Sequence, residues 1–275
     1  MSSPTPSRRL LRWAAAALSS LLLAGCQSPA PRAPAVPLAP PGPPSSVIFI
    51  GNSFFYYNNG INNFITPLVR AGNPGAPWRT TMVTISGSGF DWHDVDSYFR
   101  PNAIGQYSFD PNNRVVFNKL ERLFDVAVLM DCSQCPIHPQ LAPVFREYAK
   151  KNADSVRRHG ARPAFFMSWA YADQPEMTQQ LARAYAEAGK EHDAIVIPAG
   201  LAFARSIRDR PDINLYAPDK RHPSVAGSYL AACTTYATLF GRSPVGLRAT
   251  GGLDSDTAAF LQNVAWQTVQ SYRGN

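Results

Sequence analysis

The chain predicts an α/β fold, a three-layer α/β/α domain around a parallel sheet of about five strands, because strand and helix patterns alternate along it. Short apolar runs bounded by turn residues mark strands near Val47–Ile50, Met82–Ile85, Val126–Met130, Ala164–Met167 and Ala194–Ile197. Helical patterns lie near Gly60–Arg70, Ala142–His159, Thr178–His192, Ala199–Asp209, Val225–Phe240 and Asp256–Tyr272. The 229 residues from Val47 onward carry no internal repeat and no second linker, and are enough for one domain with a sizeable core.

The first 46 residues do not look globular. Arg8, Arg9 and Arg12 form a positive n-region, and Trp13 to Ala24 form an apolar stretch too short to span a bilayer comfortably. Residues 1–25 therefore read as a signal peptide. The stretch closes on Leu23-Ala24-Gly25-Cys26, which resembles a bacterial lipobox and makes Cys26 the expected lipidation site. An ordinary signal peptide with a chance cysteine is the alternative. Ser7-Arg8-Arg9 is also compatible with twin-arginine export. Residues 26–46 are then the lipidated cysteine and a tether. Its Pro/Ala-rich part, Ser28 to Pro44, is expected to be extended at about 3 Å per residue. Gln27 after the cysteine fits sorting to the outer membrane of a Gram-negative envelope. The domain proper is assigned to residues 47–275.

The net charge of +7 misleads if taken whole. Four of the 26 basic residues precede Val47 and all 19 acids follow it, which leaves an excess of three positive charges on the domain. No basic stripe interleaved with aromatics occurs, so nucleic-acid binding has no support. The first turn lacks G-x-G-x-x-G and no P-loop lysine motif is present, so nucleotide cofactors have none either.

The chemistry lies at the two ends of the domain. The apolar run Val47-Ile48-Phe49-Ile50 passes into Gly51-Asn52-Ser53, which sets a serine above the sheet edge at or near a helix start. Serine needs a base to activate it and the base needs an acid to fix its tautomer. Asp219-Lys220-Arg221-His222 supplies both on one loop. Asn52 and Ser53 as a plain helix cap, with His222 packing against the next helix, is the alternative for each segment alone. Their order at opposite ends of one domain favours catalysis.

These segments carry a resemblance. Ile50-Gly51-Asn52-Ser53 resembles the first block of the SGNH (GDSL-like) hydrolase superfamily, with asparagine in place of the aspartate of G-D-S. Asp219 to Gly227, D-x-x-H-P-S followed by a glycine, resembles its last block. Between them, Phe124 to Leu129, Met167-Ser168-Trp169-Ala170 and Ile197-Pro198-Ala199-Gly200 with Ala202 resemble a bacterial lipoprotein branch of the same superfamily. The resemblance covers nearly the whole domain. It implies a flavodoxin-like hydrolase in which Ser53 attacks, His222 is the base and Asp219 orients it. It also implies an oxyanion hole with donors from three blocks, each worth roughly 3 kcal/mol of barrier. Ser53 N–H is the first and Gly89 N–H the second, with Gly87 as its alternative.

The third block departs from the family pattern. No G-x-N-D occurs, and Met130-Asp131-Cys132-Ser133-Gln134-Cys135-Pro136 stands there instead. Ionised Asp131 cannot donate a hydrogen bond, so the third donor is Ser133, Gln134 or absent. Cys132 and Cys135 lack the further ligands a zinc site needs, even with His138 nearby, and in an exported protein they read first as a short disulfide and second as free thiols. Cys233 reads as a core residue. His93 lies near the second block and either touches substrate or sits in a surface loop. His159 and His192 suit helix C-termini. Phe54, Phe55, Tyr56, Tyr57 and Trp169 suit either a substrate wall or the core.

The expected activity is ester hydrolysis by a serine carboxylic-ester hydrolase, directed at short acyl groups such as acetyl on a carbohydrate. It calls for no metal or organic cofactor. The expected partners are a small-molecule or glycan ester and a membrane reached through the lipid anchor, with the protein a monomer. A catalytically degenerate glycan-binding or assembly module and an O-acyltransferase are the alternatives.

Overall fold

The computed structural model describes residues 41–100, 103–104, 107–117 and 120–274. The signal-peptide, Cys26 and tether readings over residues 1–40 lie outside the described residues. Among the described residues no helix is long and apolar enough to cross a membrane.

Five parallel strands make the central sheet: β1 (Ser46–Gly51), β2 (Arg79–Thr84), β5 (Val126–Leu129), β6 (Arg162–Phe166) and β7 (Ile195–Ile197). Their spatial order is β2-β1-β5-β6-β7. This is the doubly wound order of flavodoxin-like domains, with a switch in winding direction beside β1. A second, two-stranded antiparallel sheet pairs β3 (Tyr107–Phe109) with β4 (Val115–Phe117).

Alternation along each central strand divides the core into two layers. Val47 and Phe49 of β1, with Val126, Val128, Ala164 and Phe166, face one side. That side is covered by α2 (Ile61–Gly72), α5 (Ala199–Asp209), α6 (Val225–Phe240) and α7 (Ser255–Arg273). Ile48, Ile50, Ala127, Leu129 and Phe165 face the other, under α3 (Ala142–Arg158) and α4 (Met177–Glu191). Strands buried on both faces need continuous apolar runs rather than alternation, and these strands have them.

The helix α6 lies deepest. Every residue from Ala226 to Phe240 is buried, so its threonines must satisfy their hydroxyls internally, and Thr234, Thr235 and Thr238 each donate to the carbonyl four residues back at 2.8 Å. Ser224 caps it by accepting from Gly227 N–H at 3.1 Å, and Gly241 closes it in the left-handed region.

The strands fall where the apolar runs place them, with shifts at the ends: β2 begins at Arg79 and stops before Ile85, and β6 begins at Arg162. The β3–β4 hairpin has no counterpart in the sequence reading, because its strands are three residues long and leave Tyr107, Phe109, Val115 and Phe117 exposed. Asp110 organises its turn, accepting from the N–H groups of Asn112 and Arg114 at 2.9 Å each. His159 and His192 stand at the C-termini of α3 and α4, as their sequence context implies. Cys233 is fully buried, and its thiol pKa is pushed up to about 12 by burial.

One close approach ties α6 to the loop before it. A Cβ at Gly227 would lie 2.3 Å from the Leu215 carbonyl oxygen and 3.1 Å from Phe203 Cζ and Pro223 Cβ. Overpacking of that kind costs typically 1–3 kcal/mol, more than the gain of about 1 kcal/mol from replacing a helical glycine by alanine. Gly227→Ala is therefore expected to lower the denaturant midpoint. A midpoint equal to or above that of the wild type would show that the Leu215 backbone is not held this close.

Candidate active site

Gly51 ends β1 and the chain turns at once into α1 (Ser53–Tyr56). The turn is tight because a Cβ at Gly51 would press on the Phe55 ring at 3.0 Å and Met130 at 3.1 Å. Asn52 caps α1, its Oδ1 accepting from Phe54 N–H at 3.2 Å. The capping expected of this residue is real, but it is half of what the side chain does. Its Nδ2 group donates to Ser88 O at 3.0 Å and to Asp131 O at 3.1 Å, so one buried amide joins the loops after β1, β2 and β5.

Ser53 is 8 % exposed and its Oγ lies 2.8 Å from His222 Nε2, a contact across 169 positions of sequence. His222 Nδ1–H donates to Asp219 Oδ2. The other oxygen, Oδ1, accepts from the N–H groups of Arg221 at 3.0 Å and His222 at 2.9 Å, which folds the D-x-x-H segment around the carboxylate. Desolvation pushes Asp219 up, but the His222 side chain and these two N–H groups outweigh it and hold its pKa at about 2. Asp219 therefore stays ionised throughout the neutral range.

The segment bearing His222 is pinned on several sides. Residues 216 and 223 form an antiparallel bridge, with Ala217 N–H donating to His222 O at 2.8 Å and Ser224 N–H to Leu215 O at 2.9 Å. Trp169 Nε1–H donates to Arg221 O at 2.9 Å, and Asn58 Nδ2 donates to Pro223 O at 2.9 Å. Tyr57 stacks on the imidazole with ring centres 3.9 Å apart and planes 7° off parallel. Phe54 meets the same ring edge-on at 5.4 Å and stacks on Trp169 at 4.7 Å. Tyr57, Phe54 and Trp169, which by sequence suit either a substrate wall or the core, each lie against the His222 segment. Their spacing gives no signal for this, because the stacking partner is contributed from the far end of the domain.

The second loop places Gly89 against the third. A Cβ at Gly89 would lie 2.8 Å from Asp91 Oδ1 and 2.9 Å from Asp131 Oδ1. Among the described residues neither Ser53 N–H nor Gly89 N–H is used in a backbone or side-chain hydrogen bond. Gly87, the alternative, has a left-handed backbone and open space around it. His93 is neither a surface residue nor free for substrate. It is 4 % exposed, with Nε2 at 2.9 Å from Ser88 Oγ and 3.1 Å from Gly51 O, and Nδ1 at 3.0 Å from Tyr98 OH. Burial lowers its pKa and keeps it neutral, bracing the second loop against the first.

In the third loop Ser133 Oγ pairs with Tyr171 OH at 2.6 Å and Gln134 Nε2 donates to Gln174 Oε1 at 3.4 Å. Cys132 and Cys135 are joined in a disulfide, which removes their sulfurs as metal ligands beside Asp131. A cavity of about 670 Å³ lies apart from Ser53 and His222, walled by Tyr171, Phe203 and Tyr216. Phe203 stacks on the face of Trp169 at 4.1 Å, so the indole separates this cavity from α1.

With this geometry in place, likeness to solved structures identifies the architecture. The fold matches a DUF4886 family protein from Bacteroides uniformis at 16 % identity and TM-score 0.55, covering 82 % of this chain and 94 % of that one. It matches a candidate SGNH hydrolase from Slackia heliotrinireducens at 19 % identity and TM-score 0.53, over 70 % and 98 % of the two chains. The chain has the SGNH-hydrolase fold. A catalytic mutant of an acetylxylan esterase from Geobacillus stearothermophilus matches at 14 % identity and TM-score 0.53, over 74 % and 96 %. No family model and no curated protein sequence matches the chain.

Within this SGNH fold Asn52 has a role that makes its exchange for the aspartate of G-D-S costly. A carboxylate there would face the Ser88 and Asp131 carbonyl oxygens with no N–H to give, and leaving buried acceptors unpaired costs about 1–3 kcal/mol each. Asn52→Asp is expected to lower the free energy of unfolding by 2 kcal/mol or more on that basis. The loss should be larger at pH 8 than at pH 5, since a protonated acid can still donate one hydrogen bond. A pH-independent change under 0.5 kcal/mol would contradict the clamp.

Proposed function

We propose that the chain is a serine esterase cleaving short O-acyl esters, with acetyl groups on a carbohydrate as the substrate class. The observation that carries this reading is the unbroken relay from Asp219 through His222 to Ser53, with Ser53 Oγ 2.8 Å from the base. His222 Nε2 takes the Ser53 proton as Oγ attacks the ester carbonyl, and the imidazolium then formed is stabilised by ionised Asp219. The free N–H groups of Ser53 and Gly89 receive the negative charge that develops on the carbonyl oxygen. His222 returns the proton to the departing alcohol. Water, activated by the same imidazole, releases the acyl group.

The carbohydrate part of the proposal draws on the acetylxylan esterase that shares this fold and on the expected envelope location. An export signal over residues 1–25 and a lipid on Cys26 would hold the domain near a membrane, with residues 27–46 as spacer. A degenerate binding module is favoured by one observation: the Ser133 and Gln134 side chains, the sequence candidates for a third donor, are paired with Tyr171 and Gln174.

Hydrolysis of 4-nitrophenyl acetate and butyrate by the full chain separates these readings. Ser53→Ala and His222→Ala are each expected to reduce kcat by at least 10⁴-fold. Equal background rates in wild type and both variants would sink the esterase claim and leave the binding module. The anchor is tested apart from this by metabolic labelling with an alkynyl fatty acid. Label and membrane association should both disappear in Cys26→Ser, and a wild type that takes up no label would overturn the lipoprotein reading.

A further inference from the structure

The third loop differs most from the family pattern, and its Asp131 is 2 % exposed. The Oδ1 atom accepts from Phe90 N–H at 2.7 Å and from Cys132 N–H at 2.8 Å. The Phe90 contact matters most, because Phe90 follows Gly89, and a Cβ on Gly89 would lie 2.9 Å from the same oxygen. On its far side Phe90 O accepts from Asn152 Nδ2 of α3 at 3.1 Å, so Phe90, the residue after Gly89, is held at both its N–H and its carbonyl. The backbone of Asp131 is fixed in turn by the Asn52 amide. Its second oxygen, Oδ2, is buried without a hydrogen-bond partner.

We propose that Asp131 is a positioning residue for the ester reaction: its carboxyl group sets the place of the Gly89 N–H by gripping the next peptide. This rests on the esterase reading. A side-chain amide in the third block would serve as an oxyanion donor. A buried carboxyl cannot do that when ionised, but it can fix the donor supplied by the second loop.

The charge on this carboxyl follows from its surroundings. Burial outweighs the downward pull of the Phe90 and Cys132 N–H groups and, with the Asp91 carboxylate, raises the Asp131 pKa to about 7. The ionisable groups facing it are Asp91 from the second loop and Tyr185 from α4, and burial holds the Tyr185 phenol far above its ordinary value. The neighbouring cysteines are in the disulfide and do not titrate. Among the described residues no positive group acts on Asp131. Below pH 7 the neutral acid grips the loop without placing charge near the oxyanion. As pH rises through about 7 the carboxyl ionises and a negative charge appears against Gly89, opposing the negative charge that forms on the substrate oxygen.

The test is the pH dependence of kcat and KM for 4-nitrophenyl acetate between about pH 5.5 and 9, using the full chain and its Asp131→Asn and Asp131→Ala variants. Wild-type kcat should fall by tenfold or more as pH rises through about 7, with KM nearly constant. In Asp131→Asn, which keeps the Oδ1 acceptor and cannot ionise, this descending limb should be absent. Asp131→Ala should lose about 100-fold in kcat, the scale of a displaced oxyanion donor. The same descending limb in Asp131→Asn, or wild-type kcat in Asp131→Ala, would overturn the proposal.

A second readout needs no turnover. In full chain labelled with ¹⁵N-phenylalanine, the Phe90 amide should titrate with a midpoint near pH 7 in wild type and not in Asp131→Asn. No such titration in wild type overturns the grip on the loop. A Phe90 titration without any Ser53-dependent hydrolysis would instead uphold the grip and overturn the esterase reading on which its catalytic meaning rests.

Discussion

The side-chain amide of Asn52 is the joint on which the site depends. Its oxygen caps the short helix that begins at Ser53, and its two N–H groups reach the carbonyls of Ser88 and Asp131. These three loops leave the C-terminal ends of β1, β2 and β5, neighbours in the sheet, and one buried amide between them reaches all three. Ser88 Oγ and His93 add a second tie by converging on Gly51 O. The result is a wall in which the Ser53 and Gly89 N–H groups are left over from the internal hydrogen bonding. Preorganised donors of this kind are what acyl transfer needs, because they need no rearrangement as charge develops.

The other half of the site comes from the end of the domain and is fixed by different physics. The Asp219–His222 segment is partly exposed and holds no apolar core of its own. It is kept in place by backbone pairing with the residues around Leu215 and Tyr216, by the Trp169 indole, and by Asn58. Tyr57 then limits how the imidazole can tilt, since a ring stacked at 3.9 Å leaves rotation in its own plane and little else. Asn58 is in the left-handed region, a conformation asparagine tolerates better than most residues, and its amide also reaches Ser228 Oγ at 2.9 Å. The turn after α1 is therefore shaped to meet the His222 segment.

Both the sheet and the relay were legible in the sequence because each writes a local signature. A strand buried on both faces must be a continuous apolar run, and Val47–Ile50 or Val126–Leu129 have no other easy reading. Ser53 and the Asp219–His222 pair stand at turns, where residue types are few and spacing is short. What stayed hidden depends on contacts between distant segments. The bidentate amide of Asn52, the stacking of Tyr57 and the burial of His93 have no period or spacing to announce them. The β3–β4 hairpin was hidden for the opposite reason: its apolar side chains face outward, so it lacks the inside-outside pattern by which strands are recognised.

The third loop shows how a departure from a family pattern can be absorbed. On the proposed esterase reading Asp131 stands where the family pattern has a donor amide, and the neighbouring Ser133 and Gln134 side chains are paired with Tyr171 and Gln174. The carboxyl group is nonetheless drawn into the wall as an acceptor for two backbone N–H groups, and the Cys132–Cys135 disulfide closes the loop immediately after it. A carboxyl so deeply buried is tolerated at neutral pH because it can take up a proton, whereas a fixed charge there would need a buried cation that the surroundings do not supply. On the proposed esterase reading this exchanges a direct electrostatic contribution for rigidity in the remaining two donors and makes the charge beside them dependent on a proton. On that same reading, the site is tuned through the loop that departs from the G-x-N-D pattern.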